Sequence, residues 1–145
     1  IGRQNHRQMV LSGWAGLFTI AVLMAVMAIV VALFPAPLAR IFTQDPVLLA
    51  LAVPTLFVAA ATLISDGAQG VLMGALRGAG DVWVPSVLHL CAFLFVMVPA
   101  ARGFAFWAGY GTPGLMMGTF CGVTVAALLL AGRFHYIAKH PIDRL

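Results

Sequence analysis

Hydrophobic positions along this chain gather into four long runs separated by short polar or Gly/Pro-rich connections. The first run, about residues 10–34, carries no charge. At roughly 25 residues it exceeds the ~20 that an α-helix needs to cross the hydrocarbon core of a bilayer. Pro35 and Pro37 close it, and a short amphipathic stretch follows at Leu38–Phe42. Thr43-Gln44-Asp45-Pro46 then reads as a helix start, with Asp45 suited to an N-cap and Pro46 to the first helical position. The second run, about 47–76, holds Pro54 and Asp66 in its interior. Gly78 and Gly80 are expected to end it, Asp81 to cap the next helix, and Pro85 to fall in that helix's first turn, so the connection is a tight hairpin. The third run, about 82–100, contains His89, Cys91 and Pro99 and finishes at Arg102. Gly103–Gly111 reads as a connection in which Trp107 and Tyr110 fit an interfacial belt. The fourth, about 113–132, leads into Arg133, Lys139 and Arg144. The pattern predicts an all-α integral membrane protein with four transmembrane helices.

Composition strengthens this reading. With 63% hydrophobic and 8% charged residues, the chain lies far from the about 45–50% and about 25% of soluble domains. The net charge of +4 comes from basic residues standing singly at the ends of apolar runs. That placement fits a lipid bilayer with anionic headgroups and excludes a nucleic-acid surface. Arg3, Arg7, Arg77, Arg133, Lys139 and Arg144 fall on one side of the four spans, against Arg40 and Arg102 on the other. The positive-inside rule therefore places both ends and the middle hairpin in the cytoplasm. The chain begins at Ile1 in a polar stretch without an initiator Met or a cleavable signal, and it reads as a fragment. Cys91 and Cys121 lie in apolar runs with no cluster of further ligands, so neither a metal site nor a cofactor is expected. No Ser, His, Cys and carboxylate constellation suggests an enzyme.

Asp66 is the one acidic residue inside a predicted span. A carboxylate there costs about 2.5–3.5 kcal/mol on insertion scales, so it is expected to face protein or a water-filled cavity. Thr62 and Gln69 lie one turn away on either side, and the three are expected to share a face turned from lipid. The functional reading is a cation or proton site; the alternative is a carboxyl that hydrogen-bonds a neighbouring helix. Pro54 removes a backbone hydrogen bond and is expected to bend the helix, either as a hinge for alternating access or as a static kink. His89 is a candidate proton relay with Asp66, or a donor to a nearby carbonyl. Gly114, Gly118 and Gly122 form a smooth stripe for close helix packing. Arg77 is expected to snorkel to the headgroups and pair with Asp81. The glycines around it lack the strand and the Gly-Lys-Ser/Thr ending of a phosphate loop.

The run Ser65-Asp66-Gly67-Ala68-Gln69-Gly70-Val71-Leu72-Met73-Gly74-Ala75-Leu76-Arg77-Gly78-Ala79-Gly80-Asp81, with Pro85 after it, resembles the tenth helix and following loop of the multidrug and toxic compound extrusion (MATE) family. Leu38 to Pro46 is similar to that family's connection between the ninth and tenth helices, and the Gly-rich turn before Pro113 to the entry of its last helix. Val82 stands where Thr is usual. The resemblance implies that residues 1–145 are the C-terminal part of the C-terminal lobe, the ninth to twelfth helices of a twelve-helix, two-lobe transporter whose N-terminal helices are missing here. It implies a bacterial inner-membrane antiporter that exports cationic, amphipathic small molecules in exchange for Na⁺ or H⁺. Asp66 matches the family's acidic position in the tenth helix, Gln69 a polar position beside it, and Arg77, Gly78, Gly80 and Asp81 the loop. Two other readings remain: a lipid-linked precursor flippase of the same superfamily, which calls for a more basic cavity, and a small four-helix structural or assembly subunit.

Overall fold

A computed structural model describes residues 6–139. Arg3 and Arg144, two of the residues used for orientation, lie outside the described residues. The described chain is helical throughout: α1 (His6–Leu33), α2 (Pro35–Phe42), α3 (Pro46–Gly78), α4 (Trp83–Ala92), a π-helical turn (Phe93–Met97), α5 (Val98–Arg102), a second π-helical turn (Gly103–Trp107) and α6 (Gly111–Lys139). Among the described residues, four spans are long and apolar enough to cross a membrane: Val10–Leu33, Pro46–Gly78, Trp83–Trp107 and Gly111–Lys139.

The boundaries follow local chemistry. Pro35 opens α2 at its first position, so the segment read as a short amphipathic stretch is a complete helical piece. The Val47 N–H donates to Asp45 Oδ1 at 2.8 Å, the expected cap of α3. That helix runs on through Pro54 without a break in helical assignment. At its far end Gly80 takes φ +89°, the Gly80 N–H donates to the Arg77 carbonyl and the Asp81 N–H to the Leu76 carbonyl, both at 3.0 Å. This pair of bonds is a Schellman ending, and the positive φ is what requires glycine there.

Four expectations need correction. Asp81 does not cap the next helix, whose N-cap is Val82 with no side-chain bond. Its carboxylate, 8% exposed, accepts from Arg133 Nε at 2.7 Å, so it pairs with α6 and not with Arg77. The third span does not stop near Ala100 or Arg102. It continues to Trp107, because Gly103–Trp107 winds as a π-turn closed by the Ala108 N–H on the Gly103 carbonyl at 2.9 Å. The fourth span begins at Gly111 and continues to Lys139, so Arg133 and Lys139 belong to the helix and not to a tail.

In lipid, a Leu gains little by leaving acyl chains for another helix, so close packing and polar links hold such bundles together. Both are present. α3 is central, packed on α1 along one side and on α6 along another. Gly67 of α3 abuts Met24 and Ile20 of α1. Along α6, side chains at Gly114, Gly118 and Gly122 would run into Phe104, Ala101 and Met97 of the third span, so the expected glycine stripe is a helix seam. Near the hairpin, Leu72, Leu76 and Ala79 meet Leu130, Phe134 and Ile137. Trp14 of α1 adds an edge-on contact to Phe134, centroids 5.9 Å apart.

Candidate functional site

Asp66 stands 12 residues before the end of α3, about 18 Å along the helix axis at 1.5 Å per residue. With the hairpin at one interface, that depth is close to the middle of a hydrocarbon core ~30 Å thick. Ser65 and Gly67 flank it, Leu63, Ile64 and Ala68 lie within a turn, and the nearest proline is Pro54, 12 residues before.

The three residues expected to share one face separate at its edge. Thr62 and Gln69 are buried, 6% and 7% exposed, and turn into the bundle. The Thr62 hydroxyl donates back to the Val58 carbonyl at 3.3 Å. Asp66, 40° further round the helix from Thr62 at ~100° per residue, is exposed. It makes no hydrogen bond or ion pair among the described residues. Gly70 and Gly74 follow it at intervals of four, and neither has a heavy atom within 4 Å of where a Cβ would stand. Exposed Arg77 completes this bare strip one turn on. α3 therefore presents a carboxylate and a smooth glycine surface on a face that no described helix covers.

The proposed relay partner lies elsewhere. His89 Nδ1 is 2.8 Å from Gln69 Nε2, a hydrogen bond between α3 and α4, and the imidazole stands edge-on to Phe93 with centroids 4.2 Å apart. The structure thus brings His89 to Gln69 and does not join it to Asp66. Gln69 Oε1 is buried without a partner. Turning the amide over exchanges oxygen for nitrogen at His89 but leaves the other end equally unsatisfied, so the pair always keeps one orphaned polar atom.

Sequence reasoning missed the polar links between α3 and α6. Ser65 and Thr124 hydroxyls lie 3.0 Å apart, and the Thr55 and Thr112 hydroxyls 3.2 Å apart. They tie the two helices at two levels, and Asp81 with Arg133 ties the hairpin after α3 to α6. The only signal in the sequence was the presence of hydroxyls inside apolar runs, which across membrane helices act as interhelical links. Among the described residues no three His, Cys, Asp or Glu side chains stand together in a group that could hold a metal ion.

Comparison with known proteins adds the following. The family model described as MatE matches residues 1–102. A probable multidrug resistance protein NorM of Synechococcus sp. is 40% identical over 139 residues, covering 92% of this chain and 30% of that protein. Proteins with the same description from Caulobacter vibrioides and Rhizobium meliloti are 32% and 37% identical, covering 94% and 79% of this chain. The chain spans about 30% of the length of these curated relatives.

Proposed function

Since this chain belongs to the MatE family, we propose that it forms part of a secondary antiporter that exports cationic, amphipathic drugs or metabolites in exchange for Na⁺ or H⁺. Asp66 is the residue at which the coupling ion or the cationic substrate binds. The observation that carries this reading is the exposed, unpaired carboxylate near mid-membrane depth, beside the uncovered glycine strip of α3. An intramembrane charge on a lipid-facing surface is costly, so this face belongs against a water-filled cavity formed with helices outside this chain. The two hydroxyl links between α3 and α6, with the Asp81–Arg133 pair at the hairpin, support the strip as a fixed wall of that cavity.

In this arrangement the chain supplies the ninth to twelfth helices of a bacterial inner-membrane transporter, with both of its ends and the α3–α4 hairpin cytoplasmic. Gln69 and His89 set the rotation of α3 relative to α4, Thr62 lies on the bundle side of the site, and Pro54 provides flexibility upstream. A carboxylate that binds either a proton or another cation couples the two by mutual exclusion, the minimum that antiport requires.

The test is cation-driven efflux by the full-length transporter carrying Asp66→Asn, reconstituted in vesicles with an imposed Na⁺ or pH gradient. The expected result is loss of most gradient-driven efflux with normal expression. Unchanged efflux and unchanged pH dependence would remove Asp66 from the mechanism.

A further inference from the structure

Between the third span and α6, at the end away from the hairpin, lies an open groove of about 620 Å³. Two rows of side chains at four-residue spacing border it: Val98, Arg102 and Phe106 on one helix, Leu115 and Thr119 on the other. Its shape follows from the seam beside it. Gly118 brings the α6 backbone against Ala101, so the neighbouring rows splay apart over a shallow trough. The π-turn at Gly103–Trp107 carries the helix past Arg102 and projects Phe106 and Trp107, 75% and 84% exposed, over its outer end.

Arg102 is the charged residue of this groove. It is exposed and its guanidinium makes no hydrogen bond or ion pair among the described residues. It stands five residues before Trp107, about 7.5 Å below the end of the span. Measured from Trp83 at the hairpin, it lies 19 residues, ~28 Å, along the span, at the edge of a core of ~30 Å, from which its long side chain reaches the headgroups. A planar fork of five N–H donors suits phosphate, an aromatic side chain at the same level suits the interface, and an apolar trough below suits hydrocarbon. None of the groove's residues belongs to α1, α2 or α3, so it is separate from the Asp66 face.

The geometry points to a phospholipid-binding site at which Arg102 holds the headgroup phosphate and the trough between Val98 and Leu115 holds one acyl chain. Charge complementarity selects this occupant. A cationic drug is repelled by Arg102, and a purely apolar helix leaves the guanidinium unpaired beside hydrocarbon. Occupied, the groove joins the third and fourth spans alongside the outer half of the glycine seam.

The experiment is native mass spectrometry of the full-length transporter released from nanodiscs of phosphatidylglycerol and phosphatidylcholine. Arg102→Gln is expected to weaken retention of phosphatidylglycerol about tenfold, the scale of one lost charge-assisted contact. Arg102→Lys is expected to fall between, because it keeps the charge and loses the fork. Leu115→Trp, which fills the trough, is expected to reduce retention with Arg102 intact. Arg40→Gln, an exposed arginine on α2 outside the groove, is expected to change nothing. Equal loss with Arg40→Gln would reduce the effect to general surface charge and overturn the site. Unchanged lipid retention in Arg102→Gln and Arg102→Lys would overturn it as well, as would Arg102-dependent binding of inorganic phosphate with no retained lipid. If Leu115→Trp fails to fold, the two Arg102 variants decide the matter, since they alter an exposed side chain.

Discussion

The two faces of α3 differ as sharply as any two regions of this protein. One carries Thr62, Gln69, Leu72 and Leu76, all buried, and is closed by α6 and by His89 of α4. The other carries Asp66, Gly70, Gly74 and Arg77, all exposed. A single helix thus holds a packed side that fixes its rotation and a bare side that rotation puts on offer. Polarity alone does not assign residues to faces: a buried Gln and a bare Asp stand three positions apart.

Substitutions should separate the two faces. Asp66→Asn is expected to abolish most gradient-driven efflux while shifting unfolding by less than about 0.5 kcal/mol, as for other exposed substitutions; parallel efflux and thermal-unfolding measurements check this. A large loss of stability would show that the carboxylate is structural. Leu76→Ala, on the packed side and 0% exposed, is expected to cost about 2–5 kcal/mol by leaving a cavity against Leu130 and Phe134, read as a lower unfolding midpoint in detergent. Gln69→Leu strands His89 Nδ1 and is expected to cost about 1–3 kcal/mol, most of which Gln69→Leu with His89→Leu recovers because both partners are then apolar. A double-mutant cycle in denaturant measures that coupling, and additive losses would remove the pair from the account. The smallest effect belongs to Gly70→Ala, where nothing lies within 4 Å. It is expected to stabilise the helix by about 0.4–1 kcal/mol, seen as a raised unfolding midpoint. Destabilisation there would indicate a helix seated on the strip instead of a cavity.

What the sequence revealed depended on whether a feature was local. The four spans were legible because length and the absence of charge are properties of one segment. The cap at Asp45 and Pro46 and the turn at Gly80 were legible for the same reason. Asp81 was assigned to its nearest helix and its nearest arginine, whereas its partner Arg133 lies 52 residues away, a distance that only packing can close. The continuation through Gly103–Trp107 was lost because Gly103 and the aromatics look like a connection, and no residue type announces a π-turn. The site divided in the same way. That Asp66 needed an aqueous or protein environment followed from its charge; that it stands on the open side, and that His89 belongs to Gln69, depended on where α4 and α6 lie.

The two π-turns of the third span have a consequence for how this helix tolerates insertion and deletion. Each closes with an i to i+5 bond and so contains one residue more than a regular α-helical turn. Removing a residue from Phe93–Met97 would restore an ordinary turn in which Val98 still bonds the Phe93 carbonyl, so everything beyond it would keep its face. Ala101 would stay at the seam with Gly118, and Arg102 would stay on its side. Helix length along the membrane would hardly alter. The first π-turn therefore works as a slack loop: it takes up a single extra residue without changing which surface of the outer half of the span faces its neighbour.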